Sequence, residues 1–333
     1  MIAVEKYHGT GNDFFMVDAA EPVADRRAFA TELCDREDGL DLGSTVGADG
    51  VLFLAFEDGY ASPRVVMTLL QPDGSTAPMC GNGARCAAAW AARRLRRREE
   101  SERSSTVSAA RRLRRREESE RTSSASDAGR GGSAADSVDD EDETTVMIDT
   151  QAGTKRATVD NSDGSVTIEM GTPSFAPAAV PVTRDEPLAE EPIEGLTVTA
   201  VNTDVPHAVA FVDDVSTVDL AAVAPAVRRA DAFPCGANVT IASSHSDEAF
   251  DQRTYERGVE GETRSCGTGA VAVAAVAREL GHTDAEAVAV HPPGGRLDIL
   301  FDGRGVVLAG PTEREGETEI PIDAPRSTGI ADD

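Results

Sequence analysis

Apolar residues in the early part of the chain fall in short blocks and alternations, the pattern of strands rather than helices. Residues 4–18 predict a strand, a turn through Gly9 and Gly11, and a second strand. A helical period covers 24–35, strands are expected at 51–56 and 65–70, and Pro72-Asp73-Gly74 marks a turn. Two stretches break this rhythm. Cys80-Gly81-Asn82-Gly83-Ala84 and Cys266-Gly267-Thr268-Gly269-Ala270 are each followed by a run of small, mostly alanine and valine residues. A helix apolar on every side is a buried helix, and side chains this small let it sit inside a sheet. Strands follow the first such helix at 145–150, 156–159 and 166–170. Gly171-Thr172-Pro173 then breaks the chain, and a domain boundary is placed there. The second half runs through strands at 197–201, 208–212, 237–242 and 252–256, a helix at 220–229, the second buried helix, and strands at 288–290, 297–301 and 306–309.

Between the halves lies sequence of a different character. Residues 91–103 recur identically at 109–121, an offset of 18 residues or five turns at about 3.6 residues each, so a helix lengthens without changing face. A stretch rich in Ser, Gly and Asp follows, roughly 123–143, which has too few apolar residues to form a core. Residues 94–143 read as an insertion in a surface connection. Its arginines alternate with Glu99, Glu100 and Glu102, so a solvated, self-paired helix is favoured over a nucleic-acid arm.

The 333 residues suffice for two domains. The net charge is −27, and lysine occurs only at Lys6 and Lys155. Such a surface disfavours acidic partners and resembles a salt adaptation, in which self-repulsion is relieved by screening. The expected outcome is a melting temperature that rises between low and molar salt, as a thermal denaturation series reads directly. No signal peptide or membrane-length apolar run is found. Five cysteines without a close-spaced framework suggest reduced thiols and a cytoplasmic setting. No CxxC pair occurs, so no metal is expected.

Cys80 and Cys266 then each stand at a helix N-terminus. Unpaired amides there favour an anion and lower a thiol's pKa. Two such ends facing each other would hold one carboxylate between two thiols. That is a geometry for taking a proton from one face of a carbon and returning one to the other. Cys34, Cys86 and Cys235 read as ordinary thiols.

These motifs resemble those of the diaminopimelate epimerase family. The resemblance rests on Met79 to Cys86, on Glu256-Arg257-Gly258 with Gly261-Glu262-Thr263 and Cys266 to Ala270, and on His8 to Phe14. Phe233-Pro234 with Asn238 adds to it. It spans about 1–93 and 144–320. It implies an α/β (α+β) fold of two pseudo-symmetric domains, each a curled, mostly antiparallel sheet around a central helix, with the active site in the cleft between them. The domains are expected at 1–170 and 171–311, with 312–322 returning to the first and 323–333 a disordered tail. It implies a cofactor-independent isomerase converting LL- to meso-diaminopimelate for lysine synthesis. Cys80 and Cys266 would be the acid/base pair. The backbone at Gly81-Asn82 and Gly267-Thr268 would hold the reacting carboxylate. Asn12, Gln71, Asn238, Glu256 and Arg257 would read the rest of the substrate, and His207 and Glu256 would tune the thiols. Gln71, Val205 and Gly50 depart from the family pattern. A proline or hydroxyproline racemase and a non-catalytic thiol switch are the alternatives. A homodimer is left open.

Overall fold

A computed structural model describes residues 1–121 and 142–321, with side chains described outside 105–121. The low-complexity stretch expected at 123–143 lies almost wholly outside the described residues, as does the tail expected at 323–333. The first half runs β1 (Ile2–Gly9), β2 (Asn12–Asp18), α1 (Arg26–Cys34), a small hairpin of β3 (Asp41–Leu42) and β4 (Thr45–Val46), β5 (Val51–Glu57), β6 (Arg64–Leu70), α2 (Gly81–Arg121), β7 (Glu143–Thr150), β8 (Gly153–Asp160) and β9 (Ser165–Gly171). The second runs β10 (Glu191–Ile193), β11 (Leu196–Asn202), β12 (Pro206–Phe211), α3 (Leu220–Arg228), β13 (Asn238–Ser246), β14 (Ala249–Glu256), β15 (Gly261–Thr263), α4 (Gly267–Glu279), β16 (Ala287–His291), β17 (Leu297–Phe301), β18 (Val306–Pro311) and β19 (Glu313–Ile320).

The pairings show one programme used twice. A hairpin comes first, β1 with β2 and β11 with β12. A helix-bearing crossover makes a parallel pair, β2 with β5 and β12 with β13. An antiparallel strand returns, β6 or β14. The central helix carries the chain to a second parallel pairing, β6 with β7 and β14 with β16. Two antiparallel strands close each half, β8 and β9 or β17 and β18. The fold is thus a pseudo-symmetric pair of curled sheets. β18 pairs with β9, which joins the two into one continuous sheet, and β19 pairs with β1.

Each curled sheet closes on its helix. From Gly267 to Ala277 every residue of α4 is buried, as are Ala84 and Cys86 to Ala88 of α2. Each buried valine of α4 contributes about 1.5–3 kcal/mol, while larger side chains would force the surrounding strands apart. Strands β3, β4, β10 and β19 escape the apolar pattern. β19 reads Glu-Arg-Glu-Gly-Glu-Thr-Glu-Ile and pairs through backbone and charge, with Arg314 bound to Glu5 of β1 at 2.7 Å. β3, β4 and β10 are only two or three residues long.

The start of the arginine-rich stretch also reaches the sheet. Arg93 binds Glu5 at 2.6 Å, Arg94 binds Asp18 at 3.1 Å and stacks over Trp90, and Arg98 lies over Phe56. These partners belong to the sheet and to α2's own aromatic, because the helix still runs along the domain there. No described helix is long and apolar enough to cross a membrane.

Candidate active site

The N-termini of α2 and α4 meet head to head. Gly81 and Gly267 touch: a methyl group on Gly81 would lie 3.4 Å from the Gly267 backbone, and one on Gly267 would lie 2.9 Å from Asn82 Oδ1. Only glycine permits this approach without displacing its neighbours. Asn82 Nδ2 crosses to the Ser265 carbonyl at 3.1 Å and locks the two ends together. Cys80 and Cys266 therefore open into one cavity of about 340 Å³.

Asn12, Gln71, Gly81, Asn238, Glu256, Arg257, Gly267 and Thr268 also line that cavity; Asn82 and His207 do not. The Asn82 side chain is fully buried between Asn12, Arg85 and Ser265, so only its backbone faces the thiol. His207 lies behind Thr268, with Nε2 3.1 Å from Thr268 Oγ1 and Nδ1 3.2 Å from Thr240 Oγ1. Thr268 Oγ1 in turn lies 3.4 Å from Cys266 Sγ. Burial pushes His207 down to about 3, with Arg257 adding to the effect, so the ring is neutral. Its link to Cys266 runs through the Thr268 hydroxyl and carries no charge.

The expectation of thiols lowered by their helix ends is corrected. Burial pushes Cys80 up to about 12 and Glu256 adds to it, against the amides of Gly83 and Asn82. Burial likewise raises Cys266 well above the ordinary thiol value, again with Glu256, against Thr268 and the Gly269 amide. Helix-end amides are outweighed because desolvation penalises the thiolate throughout this cavity. The group tuned near neutrality is Glu256. Burial raises it to about 7, partly offset by hydrogen bonds from Thr263 and Cys266. A carboxylate touching the Cys266 thiol can take its proton.

The raised Glu256 value has a stability consequence. Its contribution is complete below the unfolded value near 4.5 and is lost as pH rises through about 7. Glu256→Gln removes that loss. Between pH 4.5 and 8, urea unfolding should show the wild type falling relative to this variant by about 3 kcal/mol.

The far side of the cavity holds two cations. Arg257 Nη1 donates to the carbonyls of Cys235 and Gly236 at 3.0 and 3.3 Å, which orients its fork. Arg228 also lines the cavity. Burial and Arg228 together lower the Arg257 pKa, the mark of a site that favours an anion. Gln71 accepts from Ser75 Oγ at 3.0 Å and packs on Gly258, whose φ of 94° and missing side chain make room for it. Val205 presents an apolar wall.

Sequence reading missed Arg228 and Asp49. Asp49 lines the cavity, binds Asn12 Nδ2, and receives Arg36 at 2.5 Å. Burial and then Asp13 raise its pKa. In sequence it is one residue of the turn Gly47-Ala48-Asp49-Gly50, and nothing local distinguishes it from any turn aspartate.

The family model described as diaminopimelate epimerase matches residues 4–108 and 199–314. A diaminopimelate epimerase from Methanocella arvoryzae is 38% identical over 97% of this chain and 98% of its own. One from Archaeoglobus fulgidus is 34% identical over 94% of each. Among solved structures, a predicted epimerase from Pseudomonas aeruginosa superposes with a TM-score of 0.61 at 14% identity, covering 96% of this chain and 99% of that one. A hydroxyproline epimerase from Agrobacterium vitis, with bound trans-4-hydroxy-L-proline, gives 0.57 at 17% identity, over 96% and 90%. Likenesses that remote speak to the fold alone. The full-length relatives and the family model carry more, and with two cysteine-bearing helix ends meeting over one cavity, they establish that the chain belongs to the diaminopimelate epimerase family.

Proposed function

We propose that Cys80 and Cys266 invert the α-carbon of LL-diaminopimelate from opposite faces, giving the meso isomer on the route to lysine. The observation that carries this reading is the contact between Gly81 and Gly267, which turns two helix N-termini and two thiols toward one cavity. Free amides at both ends suit the reacting carboxylate, where charge grows as the α-proton leaves. Glu256 takes the Cys266 proton, and the substrate's α-ammonium then stabilises the thiolate beside it. That thiolate removes the α-proton while the Cys80 thiol protonates the other face. The reverse direction exchanges their parts. Arg257 and Arg228 receive the distal carboxylate, for which a guanidinium fork is well shaped.

A cyclic imino acid would leave Arg257 without a counter-charge in a partly desolvated pocket, at a real cost, whereas Arg228 is already paired with Glu260. This argues against the proline racemase reading. The acidic, lysine-poor composition supports a salt-rich cytoplasm as the working medium. The test is incubation of LL-diaminopimelate in heavy water with reductant and molar salt. One deuterium should enter at an α-carbon as the meso isomer forms, with L-proline and trans-4-hydroxy-L-proline unchanged. Turnover of the imino acids with diaminopimelate untouched would reverse the assignment.

A further inference from the structure

Away from the cavity, three metal-ligating side chains meet on the outer face of the second sheet. Ser243 of β13 faces Asp251 of β14, and Asp251 faces His291 of β16, so these three positions form one row across the strands. The neighbours Phe250, Gln252 and Val290 are buried on the opposite face toward the core, as a period of two requires. His245 lies two residues beyond Ser243, at a bulge between Ser244 and Ser246. Bulges re-aim side chains. This one goes with a His245 Nε2 placed 2.8 Å from Asp251 Oδ2. The His245 and His291 rings stand edge to face at 6.1 Å. One ligand atom from each of the three side chains lies within 4.8 Å of the others.

A surface ion pair accounts for His245 and Asp251 but leaves His291 unexplained. Its Nδ1 is buried without a hydrogen-bond partner. Such a nitrogen calls for a ligand outside the chain. We infer that His245, Asp251 and His291 form a site for one divalent first-row transition ion of the Zn²⁺ class, clamping β13 to β16 across β14. Two imidazoles and a carboxylate are a donor set for zinc and its neighbours, and a poor one for Mg²⁺ or Ca²⁺. Ligands bound at about 2.0–2.2 Å require the widest pair to close by about 1 Å. The exposed His245 side chain has room to make that movement. The net charge of −27 raises the local concentration of any cation. None of the three residues lines the catalytic cavity, so the inference stands apart from the epimerase reading.

The test is calorimetric titration of Zn²⁺ into the full chain in molar salt, with Cys80, Cys235 and Cys266 changed to serine so that thiols do not compete. One ion should bind, and His245→Ala or His291→Ala should each weaken it about tenfold or more. Absence of saturable binding, or binding indifferent to both histidines, overturns the site. Co²⁺ added to the chain with its cysteines intact gives a second reading should the serine variants not fold. Visible bands without thiolate charge transfer, lost in His291→Ala, support it. Thiolate bands alone, or no bands, refute it.

Discussion

Replacing either Cys80 or Cys266 by alanine should lower epimerisation by about 10²–10⁴-fold, the usual worth of a positioned acid or base. Inversion needs both faces of the carbon served within one bound state, so the two losses should be similar and the double variant little worse than either single one. Exchange of the α-proton with heavy water, followed separately, distinguishes the roles. A single variant should retain slow exchange only for the diastereomer whose proton faces the surviving thiol, and without inversion. Both variants should fold normally, since removing one sulfur from the rim of a cavity leaves the Gly81–Gly267 contact and the Asn82–Ser265 bond intact. A folded single variant that still inverts the centre at the wild-type rate would remove that thiol from the mechanism.

The pH dependence of the wild type should follow from the same site. The direction that begins with a Cys266 thiolate needs Glu256 ionised. Its rate should therefore rise through about pH 7, and Glu256→Gln should both slow and flatten it. Steady-state rates measured in each direction over roughly pH 5.5–9 would read this. A rise of the same position in the variant would assign the proton to another group.

How much of this was legible beforehand depended on the kind of signal. The two buried helices are written in runs of small apolar residues behind paired Cys-Gly turns, and the strands around them in apolar blocks. The charged strand β19 is invisible to that test, because its stability comes from ladder bonds to β1 and from Arg314 meeting Glu5. In the site, the paired motifs placed both thiols at helix ends. The direction of their pKa shifts was misjudged, since helix-end amides can be read from sequence while desolvation depends on what encloses the cavity. Asp49 and Arg228 come from a turn and a helix end with no distinguishing motif. The His245–Asp251–His291 cluster was passed over for a related reason: strand register and a bulge assemble it from residues far apart in the chain.

Lys6→Met should cost about 3–5 kcal/mol, the range for removing one member of a buried ion pair. The Lys6 side chain is wholly buried. Its ammonium donates to the carbonyls of Thr45 and Gly47 at 2.6 and 2.9 Å, lies 3.0 Å from Asp13, and is 3.7 Å from Glu315 of β19. Methionine fills similar space and supplies none of these contacts. Two carbonyls lose a donor, and Asp13, lowered to about 2 with Arg36 and Lys6 as its cations, keeps only Arg36. The damage should also reach activity, because Gly47 leads directly to Asp49 in the cavity wall. Salt separates this effect from the rest of the molecule's electrostatics. Repulsion among surface carboxylates is screened by molar salt, whereas a buried cluster is screened far less. Urea unfolding should therefore show the wild type gaining stability with salt while the gap to Lys6→Met stays nearly constant. A gap that closes in molar salt would mean that Lys6 matters only as one of few positive charges on an acidic chain, and not as the pin between β1, the β4 turn and β19.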